Sequence, residues 1–328
     1  MLATMLLLDA QATRRRLPMA PLVAALRALF VAGCEVPQRH VHTLTDVQGG
    51  PAGSVLIMPA WRAGQRLGIK MVNVFPGNAA RGLPALHGVY TLFDAATGVP
   101  LAQLDGSELT TRRTVAASAL AASYLARADS KRLLVIGAGR LASAMPEAMR
   151  AVLPGLAQVR IWARNAEAAR ALARRLSADG IDAEAVDSLE TAVQEADIVS
   201  SATMATTPLV QGDWLRPGTH VDLVGGFTPA MREADGPALR RARVFVDTEE
   251  ALIKAGDIVQ AVAEAHFTLE ALQGTLQQLC RGERPGRGSQ GEITLFKSVG
   301  TALEDLAAAE LAFDGTVEPG AKPPTIGA

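Results

Sequence analysis

The feature that most limits what this chain can fold into is a short apolar run that ends in glycines. Lys131-Arg132-Leu133-Leu134-Val135-Ile136 reads as a strand, Gly137-Ala138-Gly139-Arg140-Leu141-Ala142 as a tight turn, and the residues beyond as a helix. G-x-G-x-x-A is a weak pattern alone, but between a strand and a helix it points to a dinucleotide-binding βα unit. Gly137 permits the turn, Gly139 lets a pyrophosphate approach the backbone, and Ala142 lets the helix pack closely on the sheet. The free N–H groups of Arg140, Leu141 and Ala142, at the positive end of the helix dipole, would meet the phosphates. The same turn without a ligand is the plain alternative. Pro146, inside the helix, is expected to kink it or shorten its first piece.

The residues that follow repeat the alternation. Strands are expected at 159–162, 181–186, 198–201, 220–224 and 244–247, and an Ala/Arg-rich helix at about 166–178. Asp187-Ser188-Leu189-Glu190 resembles a capping box opening another helix. Strands alternating with helices imply right-handed crossovers and a parallel sheet. The second strand ends in Trp162-Ala163-Arg164-Asn165, with no carboxylate to accept from a ribose 2′-OH. An arginine there can fork onto a 2′-phosphate, which favours NADP(H) over NAD(H); otherwise Arg164 is a solvated surface residue.

The N-terminal third reads differently. Glycine-punctuated strands are expected at 35–45, 53–59, 68–74 and 88–94, with no helices between them, so antiparallel or mixed pairing follows. Helices are expected at 21–32, 109–128 and 301–312, and a loose Pro/Gly-rich tail at 314–328. The opening residues 1–8 are apolar but lack a basic n-region and read as a buried strand rather than a signal peptide.

Length and charge bound the function. The 328 residues suggest two domains, and 32 Lys+Arg against 33 Asp+Glu leave a net charge of −1. No field gathers nucleic acid or an anionic membrane, and no apolar run is long enough to span one. Cys34 and Cys280 lie far apart with no CxxC, which argues against a disulfide scaffold or a metal site and fits a reducing, cytoplasmic setting.

Several further strings stand in a telling order. They are Pro37-Gln38-Arg39, Gly68-Ile69-Lys70-Met71-Val72-Asn73, Pro76-Gly77-Asn78, Leu109-Thr110-Thr111-Arg112-Arg113-Thr114, and Val224-Gly225-Gly226-Phe227-Thr228-Pro229-Ala230-Met231-Arg232-Glu233. The last is Phe296-Lys297-Ser298-Val299-Gly300-Thr301-Ala302-Leu303-Glu304-Asp305. With the glycine turn, they make the chain resemble the ornithine cyclodeaminase/μ-crystallin family over about residues 35–312. The resemblance implies a Rossmann-type doubly wound sheet at 116–298. It also implies an α+β substrate and dimerisation domain, built from 1–115 with 299–328, and a homodimer. By position, Arg39, Lys70 and Arg113 match the basic residues that hold the substrate carboxylate, each otherwise a surface salt bridge. Arg112 is the lesser partner. Thr203 falls in the cofactor-contacting turn, and Val221, Leu223 and Val224 in the strand beside the nicotinamide. Ser298 and Val299 match the segment closing the site, though Ser298 can also cap the final helix. Lys297 and the five histidines read as structural.

One departure bears on the reaction. Cyclodeaminases of the family carry an aspartate where this chain has Phe227, a ring with no proton to exchange. Met231, Ala85 and Leu141 replace a lysine, a threonine and a glutamine found in relatives. The resemblance is then nearest the ketimine reductase branch. It implies NADPH-dependent reduction of the C=N bond of a cyclic or linear α-imino acid, with Phe227 as an apolar wall and Lys70 or a water as proton donor. Two arginines beside Lys70 would lower its pKa. Ornithine cyclodeaminase, an alanine-dehydrogenase-like enzyme and a non-catalytic NADPH or small-ligand binder stay open.

Overall fold

In the computed structural model, residues 5–47 and 49–315 are described, the side chains of Pro51 and Ala79 excepted. The expectations for residues 1–4 and for most of the tail, 316–328, lie outside them. The chain divides into two compact units, residues 1–113 with 301–328 and residues 114–300.

The first unit joins both chain ends. It holds β1 (Leu6–Leu8), α1 (Ala10–Arg16), α2 (Met19–Ala32), β2 (His40–Thr45), β3 (Pro51–Arg62), β4 (Arg66–Val74), β5 (Leu86–Asp94) and β6 (Pro100–Asp105). The first turns of α3 (Gly106–Leu125) and a C-terminal helix (Ala302–Asp314) complete it. The sheet order is β1-β6-β5-β4-β3-β2, antiparallel except where β1 joins β6. Side chains alternate between its faces. Met58, Ala60, Lys70, Tyr90, Leu92 and Leu104 share the buried face, and the C-terminal helix packs on β3, β4 and β5 and against α2. The other face carries Leu7, Met71 and Val89, which are exposed. Two elements here were not foreseen, α1 and β6. The Asp9 side chain caps α1 by accepting from Ala12 N at 2.7 Å. β2 starts at His40 rather than residue 35, because Glu35 makes only an isolated bridge to Trp61.

The second unit is an eight-stranded sheet, every neighbouring pair parallel. Its elements are β7 (Arg132–Ile136), α4 (Arg140–Val152), β8 (Gln158–Trp162), α5 (Ala166–Ala178), β9 (Ala183–Ala185), α6 (Leu189–Glu195), β10 (Ile198–Ser201), β11 (His220–Leu223), α7 (Gly236–Arg241), β12 (Arg243–Val246), α8 (Ala251–Lys254), α9 (Gly256–Ala263), β13 (Gly274–Thr275), α10 (Leu276–Cys280) and β14 (Thr294–Lys297). The order is β13-β12-β14-β11-β10-β7-β8-β9. The strand order therefore reverses between β7 and β10, where doubly wound sheets open a crevice at the carboxyl ends. Leu134, Ile136, Val199, Val221, Leu223, Val244 and Leu295 build the core, as apolar strands covered on both faces should.

Three expectations need correction. α4 runs from Arg140 to Val152 with Pro146 buried inside it, so the proline does not shorten the helix's first piece. The cap of α6 is Ser188, whose hydroxyl accepts from Thr191 N, not a box opened at Asp187. The final helix is capped by Thr301, accepting from Leu303 N at 3.4 Å, not by Ser298.

Candidate active site

In the first unit, a central strand and two helices bring four ionised side chains together. Lys70 lies on β4, Arg113 on α3, and Glu304 and Asp305 in the first turn of the C-terminal helix. Lys70 Nζ is 2.6 Å from Asp305 Oδ2. Arg113 Nε donates to Asp305 Oδ1 at 2.9 Å, and Arg113 Nη1 donates to Glu304 Oε2 at 2.6 Å. All four are buried. Burial pushes the Lys70 ammonium down, the Asp305 carboxylate pushes it back up, Arg113 lowers it again, and the result is about 8. The cause is thus chiefly desolvation rather than the two arginines expected. Burial also pushes the Asp305 carboxyl up, but Lys70 and Arg113 outweigh it and hold it below its ordinary range. Arginine has five N–H donors and lysine three. The cluster spends two on Arg113 and one on Lys70, so donors remain for an incoming anion.

Around this cluster, Tyr90 pairs with Lys70 across β4 and β5. Its phenol crosses Gly68, where a Cβ would stand 1.7 Å from the oxygen. Arg39 is half-buried just before β2, whose first residue His40 pairs with Ile57; Lys70 pairs with the next residue, Met58. Arg112 is committed elsewhere, donating from Nε and Nη2 to the Leu17 carbonyl at 3.0 and 2.6 Å.

The glycine turn of the second unit has the form a dinucleotide needs. Gly137 sits at φ +118°, and a Cβ there would stand 2.8 Å from the Ala202 carbonyl oxygen. Gly139 is the N-cap of α4, with no side chain capping the helix and nothing within 4 Å of where its Cβ would be. Arg140 is exposed, Leu141 half-buried, and Ala142 fully buried. A phosphate would therefore find free N–H groups and open space, and these residues fit the cofactor. Past β8, Arg164 and Asn165 are exposed. The Asn165 side-chain oxygen is already the cap of α5, accepting from Glu167 N and Ala168 N, so only its amide N–H groups are left for a ligand.

A second buried network shapes the neighbouring turns. Glu233 Oε1 accepts from Ser201 Oγ, Thr203 N and Thr203 Oγ1 at 2.7, 2.7 and 2.8 Å. Glu233 Oε2 accepts from Gly225 N at 2.6 Å and Gly226 N at 3.3 Å. A Cβ on Gly225 would stand 1.8 Å from the Thr203 carbonyl oxygen, so only glycine lets the two turns touch. Asp257 Oδ1 accepts from Glu233 N and Ala234 N, and its Oδ2 lies 3.0 Å from Lys297 Nζ. Lys297 thus sits in a buried ion pair. Burial pushes the Glu233 carboxyl up, with Lys297 pulling against it.

The remaining expected residues fall near these turns. Val221, Leu223 and Val224 are buried on or just after β11. Asp222 between them was missed: Ser200 Oγ donates to it at 2.6 Å, and burial pushes its carboxyl up to about 6. Ser298 is buried and its N–H donates to Leu223 O. Val299 N and Gly300 N donate to Asp247 Oδ2 at 2.8 and 2.6 Å, another unforeseen carboxylate. Phe227 is 49% exposed. His220 is buried, and burial pushes it down to about 3, which keeps it neutral against Thr294.

Of Glu304, Asp305, Glu233 and Asp257, the first two left a readable signal. Residues 302–309, Ala-Leu-Glu-Asp-Leu-Ala-Ala-Ala, are apolar on every side except for two adjacent acids. Such a helix is buried all round, and buried acids need cations or N–H donors.

Comparison with known proteins identifies the family. The model of the "Ornithine cyclodeaminase/mu-crystallin family" matches residues 7–319. A Δ1-pyrroline-2-carboxylate reductase of Paracoccus denitrificans is 44% identical over 277 residues, 82% of this chain and 87% of that one. The structure of Thermococcus litoralis Δ1-pyrroline-2-carboxylate reductase with NADH and L-proline superposes with a TM-score of 0.87 at 33% identity, covering 94% of this chain and 97% of that one. An archaeal alanine dehydrogenase dimer with bound NAD gives 0.86 at 29% identity, covering 95% and 96%. The chain belongs to the ornithine cyclodeaminase/μ-crystallin family.

Proposed function

We propose that this protein is an NADPH-dependent oxidoreductase that reduces the C=N bond of a cyclic or linear α-imino acid of the Δ1-pyrroline-2-carboxylate or Δ1-piperideine-2-carboxylate type. The observation that carries the reading is the buried Lys70–Asp305–Arg113 cluster, with its lysine near pKa 8 and donors to spare. A bound dihydronicotinamide supplies hydride to the imine carbon. Arg113, Lys70 and Arg39 grip the substrate carboxylate, a fork of N–H groups matching its two oxygens. Lys70 also gives the proton that the imine nitrogen takes, a role suited to a pKa near the working pH. The resemblance to the ketimine reductase branch is what supports Phe227 and Val299 as substrate-lining residues in this reading. The reductase relatives from Paracoccus and Thermococcus support the reaction class.

Gly137, Gly139, Arg140, Leu141 and Ala142 take the pyrophosphate in this reading. Arg164 and Asn165 take the adenosine end, and Thr203, Val221, Leu223, Val224 and Ser298 the nicotinamide end. Arg164 is the support for NADPH over NADH. A homodimer is part of the reading, supported by the apolar open face of the first sheet at Leu7, Met71 and Val89. So is a cytoplasmic setting, supported by the wide separation of Cys34 and Cys280 with no CxxC. No helix among the described residues is long and apolar enough to cross a membrane.

The test is a panel of imino and oxo acids assayed with NADPH and NADH. Oxidation of NADPH by Δ1-pyrroline-2-carboxylate is expected. Tight NADPH binding without turnover on any imino or oxo acid would overturn the enzyme reading in favour of a binding protein. Preference for a 2-oxo acid with ammonia would move it to the alanine-dehydrogenase-like class. Ammonia release from ornithine with NAD would restore the cyclodeaminase despite Phe227.

A further inference from the structure

We propose that Asp305 is the positioning residue of the first unit's cluster, a single carboxylate that holds the Lys70 ammonium and the Arg113 guanidinium at a fixed spacing and supplies the counter-charge for the lysine. The proposal rests on the reading of Lys70 as the proton donor. Each Asp305 oxygen serves one cation, Oδ2 for Lys70 at 2.6 Å and Oδ1 for Arg113 at 2.9 Å. Glu304, one residue earlier, pairs with Arg113 at 2.6 Å. The Asp305 side chain is fully buried, so the interaction is not screened by solvent. Its place in the first turn of the C-terminal helix adds the positive end of the helix dipole, which favours the carboxylate form.

The charged and titratable groups facing Lys70 are few, and their signs are clear. The C-terminal helix brings Asp305 and Glu304, and α3 brings Arg113. β5 brings the Tyr90 phenol, which burial pushes well above its ordinary range and so keeps neutral. Farther along the same helix, Glu310 is taken by Arg62 of β3 and Asp314 by Arg66 of β4. Of the groups that raise the lysine against the pull of burial, Asp305 is the largest, and Glu304 follows. Without Asp305, burial and Arg113 would act on Lys70 almost unopposed. The ammonium would lose its proton below the working pH. A neutral lysine neither donates to an imine nitrogen nor attracts a carboxylate.

The experiment records kcat against pH for the wild-type holoenzyme, Asp305→Asn, Glu304→Gln and Lys70→Met. Asparagine keeps the shape and removes the charge. The alkaline limb is expected to move to lower pH by at least about one unit in Asp305→Asn, and in the same direction by less in Glu304→Gln. An Asp305→Asn limb that coincides with wild type overturns the proposal. If that variant does not fold, Asp305→Glu takes its place, and an alkaline limb and substrate KM that both coincide with wild type overturn the proposal instead. Lys70→Met separates this failure from failure of the underlying reading. If its alkaline limb persists, Lys70 is not the donor; if the limb vanishes while Asp305→Asn leaves it in place, only the Asp305 proposal falls. NADPH affinity, measured by fluorescence titration, is expected to stay unchanged in all three variants.

Discussion

Each unit buries a cluster of opposite charges, and the two spend their carboxylates differently. In the second unit, Glu233 and Asp257 accept mostly from backbone: four N–H groups at Thr203, Gly225, Gly226 and Ala234, and that of Glu233 itself. In the first, Glu304 and Asp305 accept from the side chains of Arg113 and Lys70. A carboxylate bound to backbone N–H groups fixes the path of a turn. One bound to movable cations sets their spacing and charge. The same burial cost therefore yields shaped loops in one place and tuned side chains in the other. Damage to the first cluster should appear in kinetics, and damage to the second in stability.

The largest expected effect is kinetic. Lys70→Met keeps most of the length of the side chain and removes its ammonium, so kcat should fall by about 10²- to 10⁴-fold, the usual share of a general acid. NADPH affinity should hold. In the wild type, activity should be present below pH 8 and decline as pH rises through about 8, because the buried ammonium is the active form. A methionine variant that keeps most of the wild-type kcat would reduce the first cluster to scaffolding and erase the contrast.

Glu233→Gln tests the other side. Five donors converge on two oxygens, and a glutamine must turn its own NH₂ toward some of them. Each buried donor left facing another donor costs about 1–3 kcal/mol. The urea midpoint should drop accordingly with an unchanged m-value. Substrate KM in whatever folds should stay near wild type. A stable variant with a raised KM would show that this carboxylate, too, acts on the ligand.

Which parts were legible follows from how local the signals are. The βα turn at 137–142 was readable because each position has its own requirement: a positive φ at Gly137, open space at Gly139, close packing at Ala142. The strands of the parallel sheet were readable because burial on both faces makes them continuous apolar runs. β6 was not, because Pro100-Leu101-Ala102-Gln103-Leu104-Asp105 is short and mixed, and becomes a strand by pairing with β5 and with β1 from the start of the chain. Pro146 misled because the local rule about a missing N–H took no account of the packing that buries it in α4. Lys70 and Arg113 were named by the resemblance of their strings to the family, not by a local rule. Their partners Glu304 and Asp305 lie almost two hundred residues from Arg113, and at such separations a sequence names the groups but not the pairs.

The smallest expected effect concerns Arg164, a choice that rests on an exposed side chain. The helix it precedes is capped by Asn165, not by Arg164, so Arg164→Ala should leave the fold and α5 intact. If the guanidinium forks onto a 2′-phosphate, losing it removes a charge-assisted contact of about 1.5–3 kcal/mol. Solvent screening at an exposed site pulls that toward the low end, so the ratio of kcat/KM for NADPH over NADH should fall about tenfold. Added salt should weaken NADPH in the wild type more than in the variant, because only the wild type has a surface ion contact to screen. A wild type that prefers NADH, or a ratio that Arg164→Ala leaves where it was, assigns the cofactor to NAD and leaves Arg164 as a solvated residue beside a turn that works without it.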